Sequence, residues 1–91
     1  MERLNGVFRQ EGRVVAEKAD VWIAVAGSGP QALWYGSYKL PSDVALDEAG
    51  KYDLELADGR RGEVTVSRPH VKGGYHYGGF TGRGPLLGSA T

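Results

Sequence analysis

Two imidazoles, His70 and His76, are by type the side chains of this chain best suited to proton transfer or metal ligation, and five residues separate them. A zinc site needs three or four converging ligands. No carboxylate stands at a telling distance from either histidine, and the absence of cysteine removes thiolate ligands, thiolate catalysis and disulfides. Neither histidine lies near a serine flanked as a nucleophile elbow would be. Asp43, Asp47 and Glu48 lack calcium-loop spacing and read, like Asp58, as turn residues that bond their own backbone. Gly82-Arg83-Gly84-Pro85-Leu86-Leu87-Gly88 resembles part of a phosphate-binding loop, but Leu87 breaks the pattern and no helix follows to offer its N-terminus. The expectation is a protein without catalytic residues, metal or cofactor, and not an enzyme.

Arg9-Gln10-Glu11-Gly12-Arg13 resembles the RxxxR motif of PilZ domains, small β-barrels that bind cyclic di-GMP, a likeness that implies nucleotide-dependent signalling. It covers five residues. The second motif of that family, Asp/Asn-x-Ser-x-x-Gly, is missing, since Ala26 precedes Ser28 by two residues and Gln31 follows it by three. The chain is not assigned to the family.

Binding chemistry is better represented. Residues 1–59 carry six basic and ten acidic side chains, whereas residues 60–91 carry five basic and one acidic, so a neutral chain divides into halves of −4 and +4. The basic part interleaves Arg60, Arg61, Arg68, His70, Lys72 and Arg83 with Tyr75, His76, Tyr77 and Phe80. Cations alternating with stacking rings suit single-stranded nucleic acid or another anionic ligand. The plainer alternative is that the opposite halves pair in the folded domain. A second candidate is the set Trp22, Leu33 and Tyr35, large apolar groups on the side of a hairpin opposite its core face, as a protein interface requires.

These groups need strands to hold them. Residues 4–10 and 13–18 flank Glu11-Gly12, a tight-turn pair. Residues 20–26 and 31–40 flank Gly27-Ser28-Gly29-Pro30; a four-residue loop pairs Ile23 with Trp34, Val25 with Ala32, Trp22 with Tyr35 and Ala24 with Leu33. Val21, Tyr38 and Leu40 join Ile23 and Trp34 on one apolar face, yet the other face is apolar too, unlike that of a half-exposed hairpin. Val44 and Leu46 suggest a brief strand before a turn over residues 47–50, in preference to a short helix capped by Ser42 or Asp43. Tyr52, Leu54 and Leu56 alternate with acids, and Val64 and Val66 with polar residues. A five-residue loop over 58–62 pairs Leu56 with Val64, Leu54 with Val66 and Glu55 with Thr65, avoiding carboxylates opposite one another. Residues 68–74 read as a loop, 75–81 as a last strand with a bulge, and 82–91 as a Gly-rich tail that frays.

Ninety-one residues suit one small domain, and 15 glycines, about twice the usual share, fall between β-branched and aromatic runs as turns and bulges would. Short strands without a 3.6-residue period predict a small antiparallel barrel of six to seven strands, with a sandwich as the alternative. The start lacks the apolar run of a signal peptide, and residues 21–26 are too short an apolar stretch to span a membrane, so a cytoplasmic location is expected. The expected function is a non-enzymatic binding module, self-associating or meeting another protein, with nucleic acid as the alternative partner.

Overall fold

Each strand of this protein buries alternate side chains, and that period of two curls a single sheet into a closed barrel. A computed structural model describes residues 2–27, 33–41 and 44–88 and contains six strands: β1 (Glu2–Gln10), β2 (Arg13–Ala26), β3 (Leu33–Leu40), β4 (Lys51–Leu56), β5 (Arg61–Lys72) and β6 (Tyr75–Leu87). All neighbours are antiparallel, in the order β1-β2-β3-β6-β5-β4, and β4 pairs back onto β1. The barrel expected from the sequence is thus the architecture observed, and one closed sheet leaves no second sheet for a sandwich.

The inward set is Phe8, Ala16, Ala19, Val21, Ile23, Trp34, Tyr38, Leu40, Tyr52, Leu54, Leu56, Val64, Val66 and Phe80, with Leu46 reaching in from a loop. Large rings crowd so narrow a barrel, and glycine on the adjacent strand makes room for them. On the β3–β6 ladder Gly36 faces Phe80 and Tyr38 faces Gly78, and one step further Trp34 lies over Gly82. The two strands therefore interleave as Trp, Gly, Tyr against Gly, Phe, Gly. Trp34 also covers Gly62 of β5, where a Cβ would lie 2.5 Å from its ring, and its Nε1–H donates to the Gly84 carbonyl at 2.9 Å. Several glycines read as turns and bulges are therefore inward strand positions at which another side chain occupies the space of a Cβ.

True turns take the remaining role. Glu11-Gly12 and Gly73-Gly74 are two-residue hairpin turns with positive φ at both positions (53° and 79°; 59° and 82°). The first agrees with the sequence reading. The second corrects the expected loop over 68–74: β5 continues to Lys72 through a bulge at Arg68 (φ 52°), which accommodates Pro69 in the strand. Residues 13–18 and 20–26 are likewise one strand, bulged at Lys18 (φ 55°), where two residues of β2 stand against Val7.

The register expectations need correction. In β2–β3, Val25 faces Trp34, Ala24 faces Tyr35 and Trp22 faces Ser37, a slip of two residues that leaves every face unchanged. The slip sets Gly36 beside Ile23, where a Cβ would overlap the Trp22 carbonyl oxygen and stand 2.8 Å from Phe80. Residues 28–32, which include most of the expected loop and Ala32, lie outside the described residues. In β4–β5, Leu54 faces Gly62, Tyr52 faces Val64 and Asp53 faces Glu63, not Leu54 with Val66 or Leu56 with Val64. The loop is residues 57–59, closed by Leu56 N–H donating to the Arg60 carbonyl at 2.7 Å, and it frees Gly62 to pass under Trp34. The like charges of Asp53 and Glu63 are tolerated because Arg9 faces Asp53 from β1 and Arg83 faces Glu63 from β6.

Val44 and Leu46 form no strand. The turn over 47–50 does form, with Gly50 N–H donating to the Asp47 carbonyl, and its backbone bonds that of Val66. Ser42 and Asp43, the alternative helix caps, lie outside the described residues. The expected tail is strand through Leu87, with Leu87 opposite Arg61, while residues 89–91 lie outside the described residues.

Candidate binding surfaces

The sheet closes on itself and its interior is filled by Trp34, Tyr38, Phe8 and Phe80, so the candidate surfaces lie on the outside of the barrel. Among the described residues no three histidine or acidic side chains gather as a metal site would require. His70 Nδ1 lies 2.9 Å from the Arg68 carbonyl, which fixes it as the donor there.

The sequence-selected apolar set lies on the outer wall of β2 and β3. Leu33 is 71% exposed and Tyr35 47%, while Trp22 is half-buried. Trp22 and Tyr35 are diagonal neighbours, because Tyr35 stands opposite Ala24. The Arg3 guanidinium lies 5.5 Å from the Trp22 ring centre and bonds Asp20 at 3.3 Å, so one side of the indole is already covered.

The expected basic, aromatic surface divides in two. Strand β5 runs twelve residues, on the order of 36 Å at normal strand rise, in a molecule 37 Å long, so Arg61 and Lys72 stand near opposite ends. At the Arg61 end the cations are largely matched. Arg60, its side chain only 17% exposed, bonds Glu2 at 2.6 Å and Asp58 at 2.8 Å. Burial opposes its charge, but hydrogen bonds to Glu2 and Asp58 outweigh that and raise its pKa further. Arg61 faces Glu55, and Arg83 lies 3.6 Å from Glu63. A groove of about 420 Å³ there is flanked by Arg9, Asp53, Glu55, Arg61, Glu63 and Arg83, three charges of each sign. Arg60 is thus engaged by Glu2 and Asp58, a pairing between the basic and acidic parts of the chain of the kind the plainer reading describes.

The Lys72 end differs. His70 stacks on Tyr77 with centroids 5.8 Å apart and planes 19° from parallel. Lys39, from β3, places its ammonium 4.1 Å from the Tyr75 ring centre and 6.0 Å from that of Tyr77. His70, Lys72, Gly73, Tyr75 and Tyr77 line a cavity of about 470 Å³; across Tyr75 a second, of about 170 Å³, is bounded by Lys18, Asp20, Lys39, Leu40 and Pro41. The sequence reading names Lys72, Tyr75 and Tyr77 as candidates but not Lys18 and Lys39, which no spacing links to them. Only the pairing of Lys39 with Tyr77 and with Asp20 brings β2, β3 and β6 to one site.

No family model matches the chain, and neither a curated protein nor a solved structure is significantly similar to it. Among the described residues no helix is long and apolar enough to cross a membrane.

Proposed function

We propose that this barrel is a non-enzymatic binding module that pairs with a second copy of itself through the β2–β3 wall. The observation carrying this reading is the exposure of Leu33 and Tyr35 beside Trp22 on a regular outer surface, while the interior is already full. An apolar patch on a small domain gains free energy when covered, and a self-complementary patch closes a two-fold dimer. The zero net charge supports the same partner, since copies of this chain do not repel one another overall. Arg3 and Asp20 beside Trp22 supply the polar rim such an interface uses.

The test is sedimentation of the wild-type chain and of a Leu33→Ser, Tyr35→Ser double variant over a range of concentrations. Dimers are expected for the wild type and folded monomers for the variant, whose unfolding midpoint should match that of the wild type at concentrations too low for it to dimerise. A wild type that stays monomeric, or a variant that still dimerises, overturns the proposal.

A further inference from the structure

We propose that the Lys72 end of the barrel is a second site, which takes single-stranded nucleic acid. Two observations carry this. First, Lys18, Lys39 and Lys72 take part in none of the ion pairs among the described residues, which use Arg3, Arg9, Arg60 and Arg83. Lys18, Lys39 and Lys72 converge on Tyr75, and Asp20, the one acid among the described residues lining the two cavities, is engaged by Arg3. Positive charge without an internal partner is what a phosphate backbone neutralises, with release of its counterions.

Second, the rings are set out for bases. Tyr75 and Tyr77 project from one face of β6 two residues apart, about 6.6 Å along the strand, close to twice the 3.4 Å spacing of stacked bases. The Lys39 ammonium occupies the interval, held over Tyr75 by a cation–π contact on a flexible stem. A base entering from solvent stacks on the tyrosines, and Lys39 moves to a phosphate. His70 already stacks on Tyr77 and extends the platform, while Lys72 flanks it at the hairpin turn. A duplex keeps its bases stacked inside, so a single strand is the form that fits.

The probe is a fluorescein-labelled oligothymidylate of about twelve nucleotides, with an abasic phosphodiester of equal length and a duplex as comparisons, all read by anisotropy at low salt. The single strand is expected to bind at least about five-fold more tightly than the abasic chain. Tyr75→Leu and Tyr77→Leu, which keep apolar bulk, should each weaken binding by about five-fold or more, and Lys39→Met should reduce the salt slope by about 0.7. Arg60→Ala, altered at the other end, should bind as the wild type does. Amide shift changes in the unmodified protein should concentrate at residues 39 and 70–77, a readout that needs no variant to fold. Equal affinity for the abasic chain, preference for the duplex, shifts confined to the Trp22–Tyr35 wall, or no binding at low salt each overturns the proposal.

Discussion

The indole of Trp34 lies directly on the backbone of Gly82, so that a Cβ at residue 82 would overlap the atoms of its ring. Trp34 is 2% exposed, and its ring spans from β3 to Gly62 on β5 while its nitrogen holds the Gly84 carbonyl at 2.9 Å. One side chain thus ties the last strand to the rest of the barrel, and two glycines make its position possible.

Gly82→Ala should therefore destabilise the fold by about 1–3 kcal/mol, the usual cost of overpacking a filled core. The cause is steric, so the penalty should shrink when Trp34 is shortened. In a double-mutant cycle with Trp34→Leu, urea unfolding should show that Gly82→Ala costs far less beside leucine than beside tryptophan. Additive costs would mean that the loss arises from backbone conformation and not from the ring.

The parts of the fold legible in the sequence are those that local alternation controls. Tyr52, Leu54, Leu56, Val64 and Val66 all face inward as their period requires, and Glu11-Gly12 is the turn it resembles. Registers were less legible, because they depend on groups remote in sequence. Rejecting like charges face to face is sound for an isolated hairpin, but Asp53 and Glu63 lie between Arg9 and Arg83 on strands that the hairpin alone does not reveal. Gly62 and Gly82 read as loop because a glycine's need for a neighbouring ring is invisible until Trp34 is placed. The candidate surface divides likewise: the basic run from Arg60 to Arg83 is continuous in sequence, yet the twelve residues of β5 carry Arg61 and Lys72 apart, and Lys39 joins the Lys72 end from β3.

The Glu11-Gly12 turn holds a non-glycine residue at φ 53°. A left-handed residue with a Cβ costs roughly 1–2 kcal/mol, and asparagine tolerates that region better than glutamate. Glu11→Asn should stabilise the barrel by about 0.5 kcal/mol, seen as a higher urea midpoint with an unchanged m-value. An unchanged or lower midpoint would show that the Glu11 side chain makes a compensating contact.

Alkaline pH should weaken the fold through Tyr38. Its side chain is 1% exposed among Phe8, Gly78 and the neighbouring strands, and its hydroxyl has no hydrogen-bond partner among the described residues. Burial chiefly, and the charge of nearby Tyr52 next, push its pKa from 10.0 up to about 12. A pKa raised in the folded state gives stability that is fully present below 10.0 and lost as pH climbs to about 12, because the unfolded chain releases the proton first. Two units correspond to at most about 2.7 kcal/mol. Tyr38→Phe removes the titrating group, so urea unfolding at pH 9 and pH 11 should show a smaller alkaline loss than in the wild type. At pH 8 the variant should be at least as stable, since a buried hydroxyl without a partner carries an uncompensated desolvation cost. A marked loss at pH 8, or an alkaline decline equal to that of the wild type, would show that the phenol is bonded or solvated in the folded barrel.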